Sequence, residues 1–412
     1  MKHSLLAFGP AVWILALAAC SGGAATLSAN GTEAGAEQTP AETGTPAMGT
    51  PDAMGTPAMG TPDATAAPDA MAAPDAMGAP SSGGEGGVPP AGWLYTKASK
   101  IYLSNGASGT AWMGRGVNVD DIFLCGYNYT LASPTPDQTL EAMISGLISG
   151  WKPTFIRISL AMDSDGKVVS WLTDPAQYAT PMTNVIHSIG ANPGVYVLVT
   201  LRSDASMIGQ DKADGDPEAT GLPSDSTTTP SATSFPTGTD ATYVALVDTF
   251  ASASYVLFGL TNEPGGNKLT DTQISAAMSH AVGVIRAEED HLGVAHHIVS
   301  VQGNGWTSDI SFYSSAPLPY DNVVYEVHGY PPSSGSYTYS NIPVIIGEYG
   351  SVTDSSDFYA DLEAKQIPNL AWDFDSFSNC APDLVTVNQS ATNLVASAWG
   401  MTVQTYLEAH AP

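Results

Sequence analysis

Tyr255-Val256-Leu257-Phe258-Gly259-Leu260-Thr261-Asn262-Glu263-Pro264 and Ile342-Pro343-Val344-Ile345-Ile346-Gly347-Glu348-Tyr349-Gly350 are built alike. Each is a short run of apolar β-formers that ends on a glutamate. A strand apolar at nearly every position is covered on both faces, as in a parallel sheet wrapped by helices. In an α/β barrel the carboxyl ends of such strands carry the chemistry. Two carboxylates placed there, Glu263 and Glu348, are the minimum equipment for splitting a glycosidic bond.

Strand-like runs recur at Trp112–Val119, Thr154–Leu160, Val195–Leu201, Tyr255–Thr261, His297–Gln302, Val323–His328, Pro343–Gly347 and Asn369–Phe374. Helix-like stretches alternate with them. Thr135-Pro136-Asp137-Gln138 reads as a capping box with Pro at the first helical position, followed by Leu140, Met143, Ile144 and Leu147 on one face. Others are Pro175–Ile189, Ala241–Ala253, Asp271–Glu289, Ser355–Lys365 and Leu394–Ala409, with weaker helical signal after the fifth and sixth strands. The pattern predicts an α/β fold, a single (β/α)8 TIM barrel over residues 91–412. A doubly wound open sheet is the competitor. The first strand-to-helix turn, Asp120-Asp121-Ile122-Phe123, lacks the glycines of a phosphate cradle that would favour it. The longest irregular stretch, Arg202 to Asp240, is expected to form a substrate rim.

The beginning of the chain reads differently. Lys2, the apolar stretch Leu5 to Leu17 and Leu17-Ala18-Ala19-Cys20 form an export signal over residues 1–19. It resembles the bacterial lipoprotein type, which implies lipidation at Cys20, and Ser21 resembles an outer-membrane sorting residue. The expected location is the cell surface or outer membrane of a bacterium, with secretion the alternative. Residues 20–90 hold repeats such as Gly-Thr-Pro-Asp-Ala-Met with no Lys or Arg between Ser21 and Pro90, and read as a disordered, acidic Pro/Ala/Gly/Thr-rich tether.

The net charge of −28 leaves nothing to neutralise phosphates, so nucleic acid is excluded as a partner, and the membrane is expected to be met only through the lipid. With Cys20 assigned to the lipid, Cys125 and Cys380 remain as an even pair in an oxidising compartment. They follow the first and last expected strands, which are neighbours in a closed barrel, so a disulfide is expected; two separate buried thiols are the alternative. His296-His297 has no carboxylate or cysteine at metal-ligand spacing, and no Gly-x-Ser-x-Gly elbow occurs. Neither a metal nor another cofactor is expected.

The assembled motifs resemble glycoside hydrolase family 5, the retaining family that includes cellulases and mannanases. The resemblance rests on Arg157 in Phe-Ile-Arg-Ile-Ser, Leu-Thr-Asn262-Glu263-Pro264, Glu-Val-His328-Gly-Tyr330, Ile-Ile-Gly-Glu348-Tyr-Gly and Ala-Trp372-Asp-Phe. It implies Glu263 as general acid/base and Glu348 as nucleophile, on the fourth and seventh strands and about 5–5.5 Å apart. It further implies that Arg157 and Tyr330 donate to Glu348, that Asn262 meets a sugar 2-hydroxyl, and that His328 orients Glu263. Trp372 is expected as an apolar floor and Trp306 as a sugar platform, while Pro264 is expected to hold Glu263 extended. The family's third-strand histidine is absent; Arg202 stands there.

The implied function is a retaining endo-acting glycosidase cutting internal β-1,4 linkages of a β-glucan, active as a monomer on a polysaccharide or oligosaccharide. A β-mannanase or other β-glycanase with the same mechanism is one alternative. A catalytically impaired surface glycan-binding protein is the other.

Overall fold

A computed structural model describes residues 88–120, 136–161, 171–172, 175–202, 237–264, 269–330, 337, 339–350, 356–374, 383–387 and 394–412. Cys20, Cys125 and Cys380, with the signal and the tether up to residue 87, lie outside these residues.

Eight parallel strands close into a barrel: β4 (Arg115–Asp120), β5 (Phe155–Ala161), β6 (Tyr196–Arg202), β7 (Val256–Gly259), β8 (Val299–Gln302), β9 (Val323–Gly329), β10 (Val344–Tyr349) and β11 (Asn369–Ala371). Each pairs with its sequence neighbours, and β11 closes the ring against β4. This is the expected (β/α)8 TIM barrel. Helices α1 (Pro136–Trp151), α2 (Ala179–Gly190), α3 (Thr237–Phe250), α4 (Asp271–Leu292), α7 (Ser356–Lys365) and α8 (Ala398–Ala409) alternate with the strands, and only the short α5 (Asn304–Thr307) and α6 (Ser311–Ser315) follow β8.

Local signals account for several boundaries. In α1, Leu140, Met143, Ile144 and Leu147 are all buried on one face, the spacing of an amphipathic helix. Thr270 and Gln273 cap α4 reciprocally, and Gly293 at φ 67 stops it three residues later than expected. Thr237–Asp240, read as loop, is instead the first turn of α3. Pro175–Tyr178 form turns ahead of α2. The stretch from Leu394 opens with a short strand, β13 (Val395–Ala396), paired to β12 (Val385–Val387). Ser397 then starts α8 by accepting the Gly400 amide at 2.9 Å.

An element not expected from the sequence precedes the barrel. Strands β1 (Leu94–Lys97), β2 (Lys100–Ser104) and β3 (Gly109–Ala111) form a small antiparallel sheet. Leu94 and Ile101 join Trp112 in a cluster with Phe155, Tyr196, Leu198, Leu257, Ile298, Val324, Ile345 and Leu370. The Thr96 amide donates to Asn322 Oδ1 at 3.0 Å, just ahead of β9. The sheet therefore stoppers the amino-terminal end of the barrel with apolar side chains. Trp112, expected in the first strand, belongs to this stopper.

Odd and even positions of the strands divide cleanly. Val117, Ile156, Val197, Phe258, Val301, Val327 and Ile346 face the helical shell. Their neighbours point inward, and two residues beyond the apolar stopper layer the inward positions become polar. They are Asn118, Arg157, Thr200, Ser300 and Glu326, all essentially without solvent exposure.

Candidate active site

The polar layer underlies the carboxyl-terminal mouth, where Glu263 and Glu348 meet. One carboxylate oxygen of each and a ring nitrogen of His328 lie within 4.8 Å of one another. That separation falls with the short carboxylate pairs of retaining glycosidases and well below the 6.5–9.5 Å of inverting ones.

Glu348 reaches the interior through a bulge. On β10, Ile346 pairs with Val327 but Glu348 with His328, and between Ile346 and Tyr349 the strand advances three residues while β11 advances two. Ile346 faces the shell, so strict alternation would turn Glu348 outward too. The extra residue, Gly347, returns it to the inside. Gly347 also has to be small, because a Cβ there would stand 1.9 Å from Glu326 Oε1.

Both oxygens of Glu348 are engaged. Arg157 Nη1 donates to Oε1 at 2.9 Å and the Tyr330 hydroxyl to Oε2 at 3.0 Å. The fully buried Arg157 also donates to Asn118 Oδ1 at 2.9 Å and to Asn262 Oδ1 at 2.7 Å, and its Nε faces Glu326 Oε1 at 3.2 Å. The bonds from Nη1 and Nη2 fix the guanidinium plane, with Glu326 as the ion-pair partner at Nε, and the bond to Asn262 fixes that amide with its oxygen on the guanidinium side. Burial, followed by the Glu348 charge, pushes the Tyr330 hydroxyl well above its usual range, so it remains a donor.

Glu263 has a different setting. Its side chain is 13% exposed and accepts from His328 Nδ1 at 2.8 Å. Its backbone is not extended as Pro264 suggested: φ is 47°, in the left-handed region. The cause lies on the neighbouring strand, where Gln302 Oε1 accepts the Glu263 amide at 2.6 Å and the Thr307 hydroxyl at 3.1 Å. Such a backbone stores on the order of 1–3 kcal/mol in a non-glycine residue. The tether to Gln302 holds it.

His328 sits between carboxylates. Nδ1 faces Glu263, with Glu348 Oε2 at 3.5 Å, and Nε2 faces Glu326 Oε1 at 3.1 Å. Burial alone would lower its pKa, but the charge of Glu348 and the bonds to Glu263 and Glu326 outweigh it and raise the value to about 10. Both ring nitrogens therefore act as donors. Although Glu263, His328 and Glu348 are close enough to surround a cation, a histidine so engaged offers no lone pair to a metal.

The carboxyl-terminal end of the barrel and its residues now bear on the chain's relationships. The sequence model of the cellulase family, glycosyl hydrolase family 5, matches residues 122–378. The chain belongs to glycosyl hydrolase family 5. It is thus a glycoside hydrolase. No curated protein matches it in sequence. Similar solved structures include the catalytic domain of Thermobifida fusca endoglucanase Cel5A, at 17% identity, covering 77% of this chain and 97% of that one, with a TM-score of 0.56. A β-glucanase from Saccharophagus degradans gives 17% identity, coverage of 78% and 94%, and a TM-score of 0.56. A β-mannanase from Streptomyces thermolilacinus gives 18%, 78% and 96%, and 0.53. At these identities the likeness concerns the fold.

Of the family 5 residues expected from the sequence, the structure brings Arg157, Asn262, Glu263, His328, Tyr330 and Glu348 into one connected network. Trp372 directly follows β11 and is buried at 6% exposure, with its carbonyl bonded by Trp399 Nε1. Trp306 is 47% exposed in a left-handed turn beyond β8, the same turn that Thr307 ties to Gln302. Arg202 ends β6, but its side chain and the following loop lie outside the described residues. The sequence reading missed Asn118, Gln302 and Glu326 as parts of the site. Each is a polar residue at an inward position of a buried strand, and that parity was the available signal.

Proposed function

We propose that this family 5 glycoside hydrolase is a retaining endo-acting β-glycanase that cuts internal β-1,4 linkages of a β-glucan. The observation that carries the reading is the close pairing of two glutamates in unlike settings. Glu348, held by Arg157 and Tyr330, is placed to attack the anomeric carbon, forming a covalent glycosyl-enzyme. Glu263, more exposed and bonded by His328, is suited to give its proton to the departing glycosidic oxygen. In the second step Glu263 takes a proton from water, and that water displaces Glu348 from the sugar. The configuration is inverted twice and so retained.

The glucan preference is supported by relatives of the fold. The Saccharophagus degradans β-glucanase was solved with cellotetraose. Arg202 in place of a histidine beside the expected cleavage point is the one feature of this chain that favours the glycan-binding alternative. The test is reducing-end release from β-1,4-glucan, β-mannan, xyloglucan and β-1,3-glucan, with the anomer of the first product followed by proton NMR. We expect a retained β-anomer from a glucan, and a fall of orders of magnitude in Glu348→Gln without unfolding. An inverted product, or near wild-type turnover in that variant, would sink the mechanism. Binding without release that survives substitution of both glutamates would make the protein a glycan-binding one.

A further inference from the structure

The chemistry proposed above uses two carboxylates and leaves a third without a task. Glu326 lies in the middle of β9 with no solvent exposure and so cannot reach a substrate. An ionised carboxylate is costly to bury unless it is paired, and an apolar side chain like the inward Val324 would fill a barrel layer without that cost. Its contacts are nevertheless specific. Oε1 stands 3.2 Å from Arg157 Nε and 3.1 Å from His328 Nε2, while Oε2 accepts from Ser300 Oγ at 2.7 Å. The missing side chain at Gly347 leaves the space it occupies.

The ring of His328 is bracketed by acceptors. Glu263, after β7, and Glu348, on β10, face Nδ1; Glu326, on the ring's own strand, faces Nε2, with Arg157 of β5 behind it. Glu326 accepts at Nε2, and at Nδ1 Glu263 accepts through the oxygen that does not carry its acidic proton, so the ring carries a proton on each nitrogen.

Resting on the retaining mechanism above, we propose that Glu326 is a positioning residue that holds His328 as a doubly protonated imidazolium and Arg157 in one orientation. One buried carboxylate thereby places a charged donor against each of the two catalytic glutamates. Through His328 it aims Glu263, and through Arg157 it aims Glu348. Glu326 itself stays ionised: burial would raise its pKa, but Arg157 and then His328 and Ser300 bring it to about 2.

The full-length protein labelled with ¹⁵N-histidine provides the test, with His328 assigned by the signal lost in His328→Gln. In the wild type at pH 7.5 both His328 nitrogens should resonate as protonated. Glu326→Gln should convert the ring to a neutral tautomer near neutral pH. On whichever polysaccharide the wild type cleaves, it should also lower kcat about tenfold or more. KM should move less than about twofold, because Glu326 does not reach the cleft. Glu326→Asp, which keeps the charge, should restore part of the protonated signal. A neutral wild-type ring overturns the proposal and needs neither a variant nor a substrate, so a Glu326→Gln chain that fails to fold does not rescue it. A ring still protonated in folded Glu326→Gln overturns it as well. A protonated wild-type ring in a protein that hydrolyses no glycan overturns the glycanase reading while the anchoring of His328 by Glu326 stands.

Discussion

Two adjacent layers inside one barrel obey opposite rules. Toward the amino-terminal end the inward side chains are Phe155, Leu198, Leu257, Ile298, Val324, Ile345 and Leu370, closed from below by Leu94, Ile101 and Trp112. Two residues further along the same strands they are Arg157, Thr200, Gly259, Ser300, Glu326 and Gly347. The lower layer gains stability by removing apolar surface from water. The upper layer and the mouth above it put a guanidinium, three carboxylates and an imidazole in contact, an arrangement that well-packed apolar residues can often replace at no loss of stability. One end of the barrel is therefore packed for stability and the other for chemistry.

The comparison breaks most readily at Arg157. Its replacement by Leu leaves Glu326 and Glu348 buried with His328 as their remaining cationic partner, and the expected cost is about 3–5 kcal/mol together with loss of hydrolysis. Leu257→Ala in the lower layer should cost a similar ~2–5 kcal/mol through the cavity it leaves, with kcat nearly unchanged. Urea unfolding and steady-state rates on both variants decide the matter. A large fall in kcat for Leu257→Ala would show that the layers are not independent.

Gly347→Ala tests the bulge at smaller scale. The added methyl would collide with Glu326 Oε1, and overpacking of this kind costs roughly 1–3 kcal/mol. The expected result is a modestly lower unfolding midpoint with a disproportionate drop in kcat, since Glu348 is the next residue. A variant with wild-type kcat would show that the strand can absorb the methyl without moving the carboxylate.

A test of another kind is the pH dependence of stability. Glu326 falls from 4.5 to about 2 in the folded protein, so its contribution is present above pH 4.5 and lost as pH drops toward 2. His328 rises from 6.5 to about 10, so its contribution is complete below pH 6.5 and lost as pH climbs toward 10. From these two groups stability should be greatest between pH 4.5 and 6.5. Thermal melts across pH should show Glu326→Gln losing part of the acid limb. Leu257→Ala, which changes no charge, should lower the whole curve evenly, and a pH-dependent offset in that variant would contradict the division of the layers.

Much of this was legible in the sequence because the two strand faces leave different traces. Most of the eight barrel strands stand out as apolar runs, and Glu263 and Glu348 stand out because each interrupts such a run at its end. Glu326 and Asn118 do not, since a polar residue in mid-strand looks like noise until its parity is compared across strands. The small sheet of β1 to β3 escaped because its strands are short and mix Lys, Ser and Thr with the apolar residues. The left-handed backbone of Glu263 could not be read locally, because Gln302, which holds it, is 39 residues away. Proline at 264 argued for the opposite conformation, and the tertiary bond prevailed.

The bulge at Gly347 gives β10 a phase slip. Below it the strand keeps step with its neighbours, and above it every side chain is displaced by half a pleat. The proposed nucleophile thus owes its address to a miscount in the backbone rather than to any side chain of its own strand. Residue counting alone would assign Glu348 to the helical shell, and the one position that corrects the count is the one with no side chain to reveal it.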